Sequence, residues 1–269
     1  LLAVRSTHKK MQSLIHPTAI IDPKAELDSS VEVGPFTTIG AGVRIDAGTK
    51  VGSHVTIEGP TTIGKHNEIF QFSSLGAKPQ DKKFKDEPTT LEIGDHNTIR
   101  EFCTFNRGTI QDKGTTKIGD NNWIMAYVHI AHDCIVGNHT IMANNSSLAG
   151  HVTIYDHAIL GGFTLVHQFC QIGEHIITAV GSVVFKDIPP YVTAAGYDAQ
   201  PHGINAEGLK RRGFSAEAIQ QIKRAYKVLY RQGLSFEEAK MALADMEKSC
   251  PEIGLMTRFL AQTTRGIVR

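Results

Sequence analysis

The stretch from His129 to His175 holds seven histidines, with His132, His139, His151, His157 and His167 between its ends. Asp133 follows His132 directly, and Gly150 precedes His151. These residue types suit acyl transfer. An imidazole that titrates near neutrality can take a proton from an attacking hydroxyl, and a carboxylate can orient the ring. A backbone N–H at a glycine can face the oxyanion that forms on the acyl carbonyl. The rival chemistry for so many histidines is zinc held by three imidazoles with one open position. His129 and His132 have the i, i+3 spacing of ligands on one helix face, but the surrounding pattern is not helical, and the metal reading ranks below acyl transfer. Taken singly, each histidine is most simply a surface residue. What decides is whether the chain brings them together.

The element that must do so is a six-residue repeat. Stepping by six from Ile15 reaches Ile21, Leu27, Val33, Ile39, Ile45, Val51, Ile57, Ile63, Ile69 and Leu75, every stop aliphatic. Gly often follows the stop (Gly34, Gly40, Gly52, Gly64, Gly76), and the residue four places on is small or β-branched, as at Ala19, Val31, Thr37 and Val55. A helix repeats near 3.6 and a strand at 2. A period of six is a short strand plus a turn, and three such units close a triangular coil of eighteen, with the aliphatic and small residues inside. The glycines are expected to make the tight corners. The phase breaks at 77–90 and again at 109–117, then resumes at Ile118 and continues to Ile172. Such breaks read as loops pushed out of the coil, and in solenoids these commonly serve a binding face.

Coils stacked at about 4.8 Å make residues eighteen apart vertical neighbours. His132 then lies under Gly150 and Gly150 under Gln168, while Asp133 lies under His151 and His167 stands beside them. One patch over three coils therefore collects the groups that acyl transfer needs. The plainer reading of Gly150 is another corner glycine. Cys103, Cys134 and Cys170 fall at the small inward position, which makes them core thiols, because burial raises a thiol's pKa and removes its nucleophilicity.

Past Gly203 the spacing turns helical. Ser215 reads as an N-cap, Gly233 as a stop, Ser235 with Glu238 as a capping box, and an amphipathic helix follows Pro251. The expected division is an extension at 1–10, native or vector-derived, with Met11 as a natural start; a β-helical catalytic domain at 11–196; and a C-terminal α-helical domain at 197–269. The fold class is mainly β. The near-even balance of 28 Lys and Arg against 27 Asp and Glu excludes a nucleic-acid binder held by a global positive field. No segment approaches the roughly 20 apolar residues that span a bilayer. Four cysteines without paired spacing fit a reducing compartment, so a cytoplasmic location is expected.

The segments His129-Ile-Ala-His-Asp-Cys134, Ala143-Asn-Asn-Ser-Ser-Leu-Ala-Gly-His-Val152, Val166-His-Gln-Phe169 and Asn205-Ala-Glu-Gly-Leu-Lys-Arg-Arg-Gly-Phe214, with the closing pattern at 263–266, together resemble the UDP-N-acetylglucosamine O-acyltransferases of lipid A biosynthesis. The resemblance implies a left-handed β-helix, a homotrimer and active sites between subunits. It implies transfer of an (R)-3-hydroxyacyl group from acyl carrier protein to the 3-hydroxyl of UDP-N-acetylglucosamine, with no cofactor beyond the carrier thioester and no metal. By matching position, His132 is implied as general base, Asp133 as its partner and Gly150 as oxyanion donor. Asp81, His151 and Gln168 would hold the sugar, Lys83 the acyl hydroxyl, and Asn205, Glu207 and Arg211 the nucleotide, with His129 and His167 in support. Val180 matches the position that limits acyl length, where some members carry Gly, and a branched side chain there implies a shorter chain. Lys210, Arg211, Arg212, Lys223, Arg224, Lys227 and Arg231 concentrate positive charge where an acidic carrier and a pyrophosphate could dock.

Other readings of the same scaffold are a coenzyme A-dependent acetyltransferase, a metal-dependent hydratase of the carbonic anhydrase type, and a purely structural solenoid. The helical cap from Asn205 to Arg212 speaks against the first, and the last leaves the His132–Gln168 patch without a purpose. The acyl length, and whether an amino-sugar acceptor is also used, are open at this stage.

Overall fold

The computed structural model describes residues 14–269, so the expectations for 1–10 and Met11 lie outside the described residues. Pairs of residues such as Thr38–Ile39, His129–Ile130 and Ile141–Met142 form two-residue strands. These join into three sheets of nine, eight and ten strands, wound as a left-handed parallel β-helix. The registers Thr38 with Thr56, His129 with Ser147 and Ile141 with Ile159 are each eighteen residues apart. Ile39, Ile45, Val51, Ile57, Ile63 and Ile69 fill the interior and are buried, each contributing about 1.5–3 kcal/mol of burial. The inward threonines are satisfied by the coil above: Thr37 and Thr49 donate to the Gly52 and Gly64 carbonyls. Cys103, Cys134 and Cys170 share that interior, and burial pushes each thiol up to about 12.

The corners are made differently from expectation. Gly34, Gly52 and Gly64 are not among the residues of positive φ. Instead they admit the neighbouring coil, since a Cβ on Gly34 would stand 2.7 Å from the Gly52 carbonyl carbon, and one on Gly64 2.7 Å from the Gly94 oxygen. Of the five glycines named, Gly76 alone has positive φ. The left-handed turns fall mostly on larger residues, arranged in columns: Phe36, His54, Phe72, Phe102 and Tyr127 at one corner; His66, His96, Asn121, His139, His157 and His175 at another; Asp133, His151 and Phe169 at the third. Each such residue costs about 1–2 kcal/mol of backbone strain, and ring stacking up the column offsets it. His139, His157 and His175 stack at 4.9 and 4.7 Å with near-parallel planes. Burial, reinforced by His157 and Arg212, pushes His175 down to about 4. These three histidines are corner residues.

Both phase breaks are loops. Leu75 registers with Phe105, thirty residues on, and Thr104 with His129, twenty-five on. The additional residues emerge at 78–89 and 107–114, directly after the strands Ser74–Ala77 and Thr104–Asn106. Those strands share a sheet with His129–Ile130 and Ser147–Leu148, so both loops leave from the corner column that carries Asp133 and His151.

The last rungs are Val192–Ala195 and the antiparallel Gln200–Ile204. Helices α1 (Ala206–Arg211), α2 (Ala216–Arg231), α3 (Phe236–Glu247) and α4 (Gly254–Gln262) follow. Ser215 caps α2, the reciprocal capping box of Ser235 and Glu238 opens α3, and Gly233 has positive φ just beyond α2. Leu209, Ile222, Leu229, Leu243 and Phe259 pack around Tyr191, whose hydroxyl donates to the Glu252 carbonyl at 2.6 Å. The chain then returns to the solenoid, with Thr263 hydrogen-bonded to Asp187 and the Val268 N–H to the Asp187 carbonyl. No helix among the described residues is long and apolar enough to cross a membrane.

Candidate active site

His132 and Asp133 occupy one corner, with Asp133 in the left-handed conformation at φ 59°. That turn folds the carboxylate back against its neighbour, so His132 Nδ1 lies 2.9 Å from Asp133 Oδ2. An ionised carboxylate only accepts, which fixes Nδ1 as the donor and leaves the Nε2 lone pair free. Asp133 is fully buried. Its carboxylate accepts the Thr109 backbone N–H at 3.0 Å and the Thr109 hydroxyl at 2.6 Å. Burial works to raise the Asp133 pKa, but the bonds from His132 and Thr109 together outweigh it and hold the carboxyl below its ordinary value.

Gly150 lies one coil above, as the eighteen-residue spacing required. A Cβ there would stand 2.6 Å from Cε1 and 2.7 Å from Nε2 of His132. The basic nitrogen therefore occupies space that any side chain at position 150 would claim. The Ala149 and His151 N–H groups donate to the Val166 and His132 carbonyls, whereas among the described residues the Gly150 N–H has no acceptor. A base and a glycine with an uncommitted N–H thus adjoin on successive coils.

His151 completes the group. Its ring stands edge-on to His132 at 4.9 Å and flat on Phe169 at 4.3 Å. Its Nδ1 lies 2.7 Å from Asp112 Oδ2 and 3.9 Å from Asp133 Oδ2. His132, Asp133 and His151 offer nitrogen and oxygen atoms all within 4.8 Å, a spacing that a metal ion could also use. Yet each Nδ1 already has a carboxylate within 3 Å. Hydrogen bonding alone accounts for the arrangement.

Known proteins resemble this chain over nearly its whole length. Residues 187–268 match the family described as Udp N-acetylglucosamine O-acyltransferase, domain 2, and residues 115–150 match the bacterial transferase hexapeptide repeats. An acyl-[acyl-carrier-protein]–UDP-N-acetylglucosamine O-acyltransferase of Thiobacillus denitrificans is 64% identical over 255 residues, 95% of this chain and 99% of its own. The chain belongs to the UDP-N-acetylglucosamine O-acyltransferases. The enzyme of the same name from Neisseria gonorrhoeae is 59% identical, over 96% of this chain and all of its own. The structure of LpxA from Acinetobacter baumannii superimposes with a TM-score of 0.93 at 50% identity, covering 95% of this chain and 100% of that one.

The remaining residues singled out in this acyltransferase sort by distance from His132. His129 precedes the corner, its Nδ1 2.7 Å from the Thr104 hydroxyl, and burial lowers its imidazole pKa. Gln168 is exposed above Gly150, and its amide makes no hydrogen bond within the described residues. His167, beside it, has Nδ1 3.5 Å from Arg265 of the closing segment. Asp81 and Lys83 lie in the 78–89 loop, where the Asp81 carboxylate accepts the Lys83 N–H at 2.9 Å. Neither bonds to the His132 group within this chain.

Asn205 caps α1 by accepting from Gly208, and its amide donates to the His175 carbonyl at 3.0 Å. That amide is committed to seating the helix on the solenoid. Glu207 and Arg211 are exposed on α1 and paired at 3.1 Å. Arg212 turns away from the basic surface to the His157 carbonyl at 3.0 Å, and burial lowers its pKa; it is an anchor, not part of a docking face. Val180 is 76% exposed at the corner ahead of Val183–Val184. Sequence reasoning missed Thr109, Asp112, Phe169 and Arg265. Of these, only Phe169 carried a usable signal, eighteen residues above His151.

Proposed function

We propose that the chain moves an (R)-3-hydroxyacyl group from acyl carrier protein to the 3-hydroxyl of UDP-N-acetylglucosamine, the first step of lipid A biosynthesis. The approach of the His132 ring to Gly150, where Nε2 lies 2.7 Å from the place a Cβ would take, carries the reading. His132, held by Asp133, takes the hydroxyl proton as the oxygen attacks the thioester carbonyl. The Gly150 N–H donates to the resulting oxyanion. That attack forms the ester C–O bond; collapse of the oxyanion restores the carbonyl and breaks the C–S bond, and the carrier thiolate leaves, taking the proton from His132. No cofactor or metal enters these steps.

His151, Gln168 and Asp81 hold the sugar, and Lys83 the acyl hydroxyl, with His129 and His167 in support. Glu207 and Arg211 meet the nucleotide on the helix that Asn205 seats. Because Asp81 and Lys83 do not bond to the His132 group of their own chain, they serve a neighbouring subunit's site in a homotrimer. The protein works in the cytoplasm, where acyl carrier protein is made.

The test is transfer by purified protein. His132→Ala should lower kcat by about 10²–10⁴-fold, the usual contribution of a general base; full activity in that variant would sink the mechanism. A series of 3-hydroxyacyl donors in the same assay reads chain length. Val180→Gly should shift preference to longer chains, and an unchanged preference removes Val180 from the pocket.

A further inference from the structure

The site contains two His–Asp pairs, and only one of them has a role in the chemistry above. His132–Asp133 is built within one corner. His151–Asp112 joins a corner to the loop at 107–114, across 39 positions of sequence. The two imidazoles are perpendicular, and Asp133 Oδ2 lies within reach of both, 2.9 Å from His132 and 3.9 Å from His151. His151 bonds to Asp112 at 2.7 Å instead. Phe169, flat against His151, fixes the ring plane, and Asp112 fixes the rotation within it. An accepting carboxylate sets Nδ1 as the protonated nitrogen, which leaves Nε2 as the ring's free polar atom.

Asp112 is itself held. Lys113 Nζ bridges Asp112 Oδ2 at 3.0 Å and the Asp133 carbonyl at 3.2 Å. Burial opposes the charge on Asp112, but the bonds from His151 and Lys113 prevail and keep its carboxyl below the usual range. Thr109, three residues earlier, is bonded to Asp133. One short loop thus reaches both pairs, through Thr109 to the first and Asp112 to the second.

We propose that Asp112 is a positioning residue for acceptor recognition: it sets the tautomer and angle of His151 so that Nε2 meets a sugar hydroxyl, and it keeps His151 off the Asp133 carboxylate. The role rests on the acyl-transfer reading for its substrate, though its structural half does not. His132, and not His151, is the imidazole bonded to Asp133, at 2.9 against 3.9 Å, so Asp112 acts on acceptor binding and not on the proton transfer.

Steady-state kinetics and imidazole ¹⁵N NMR on the full chain test it together. Asp112→Ala should raise KM for UDP-N-acetylglucosamine about tenfold while kcat stays within about twofold, the scale of losing one hydrogen bond to a charged group. Asp112→Asn, whose carbonyl still accepts from Nδ1–H, should restore most of that affinity. In the spectra, Asp112→Ala should shift His151 from the Nδ1–H tautomer, with Asn retaining it. A fall in kcat at unchanged KM, or failure of Asn to rescue, overturns the proposal. If the wild type transfers no acyl group, the acyl-transfer reading fails by itself, and an unchanged His151 tautomer in Asp112→Ala then overturns the positioning role independently.

Discussion

A methyl group at position 150 would lie well inside van der Waals contact with His132, 2.6 Å from Cε1. Gly150 is not among the residues of positive φ, so its backbone would accept alanine without strain and the conflict falls on the imidazole alone. Displacing a reacting group by about 1 Å can cost on the order of 100-fold in rate. Gly150→Ala should therefore keep its melting temperature within a few degrees and lose about 100-fold in kcat. Unchanged turnover would show that His132 Nε2 is not the reacting atom. The contrast with Gly34 is instructive: there the Cβ would meet backbone of the next coil, and the expected damage is to folding. The pairing of His132 with Gly150 and of Asp133 with His151 was legible in the sequence because both rest on uninterrupted coils, where a period of eighteen converts directly to contact. Phe169 obeys the same rule. The conformational role of the glycines was not legible, since close approach and positive φ favour the same residue type.

The loop at 107–114 is the element on which the site depends and the one that periodicity could not place. It lengthens its coil from eighteen to twenty-five residues, so counting gives its existence and its corner of departure but not what it folds back upon. Thr109 returns to the buried Asp133 and supplies two of its hydrogen-bond donors. A bond to a charged, buried group contributes about 1.5–3 kcal/mol. Because the Asp133 carboxyl is held below its ordinary pKa, this stabilisation is full above the unfolded value of about 3.9 and is lost as pH falls through the lower folded value. Thr109→Val removes the hydroxyl and keeps the shape. Its melting temperature should fall below that of the wild type by several degrees at pH 7, with the gap closing in acid as Asp133 protonates. A gap independent of pH would mean that the hydroxyl does not stabilise the charged form. The helical elements were easier, because Ser215 and the Ser235–Glu238 box act locally. Arg212 was harder: its inward turn is set by the His157 carbonyl, a partner 55 residues away.

At the scale of the whole molecule, one corner of the prism carries an exposed column of rings. Phe36, His54, Phe72, Phe102 and Tyr127 stack at 5.1, 5.1, 5.0 and 4.8 Å. Phe72 is 47% exposed and Tyr127 53%. Their left-handed backbone turns the rings outward; Asn145 follows Tyr127 at this corner, and beyond it Phe163 is 59% exposed. An exposed row of stacked rings on a lone solenoid marks an association surface. In the homotrimer proposed above, side-by-side packing of three parallel solenoids would cover all three strips at once, since a threefold axis leaves no strip open. In that assembly the 78–89 loop of one chain would reach the site of the next, the role proposed for Asp81 and Lys83. Mass and activity are then one property. Sedimentation should give three chains for the wild type. Phe72→Glu combined with Tyr127→Glu should give a single chain with an unchanged β-type circular dichroism spectrum and acyl transfer reduced by about 100-fold or more, as expected when positioning groups are removed. A monomeric double variant that keeps full transfer would locate the whole site within one chain, and the loop residues would then need another explanation.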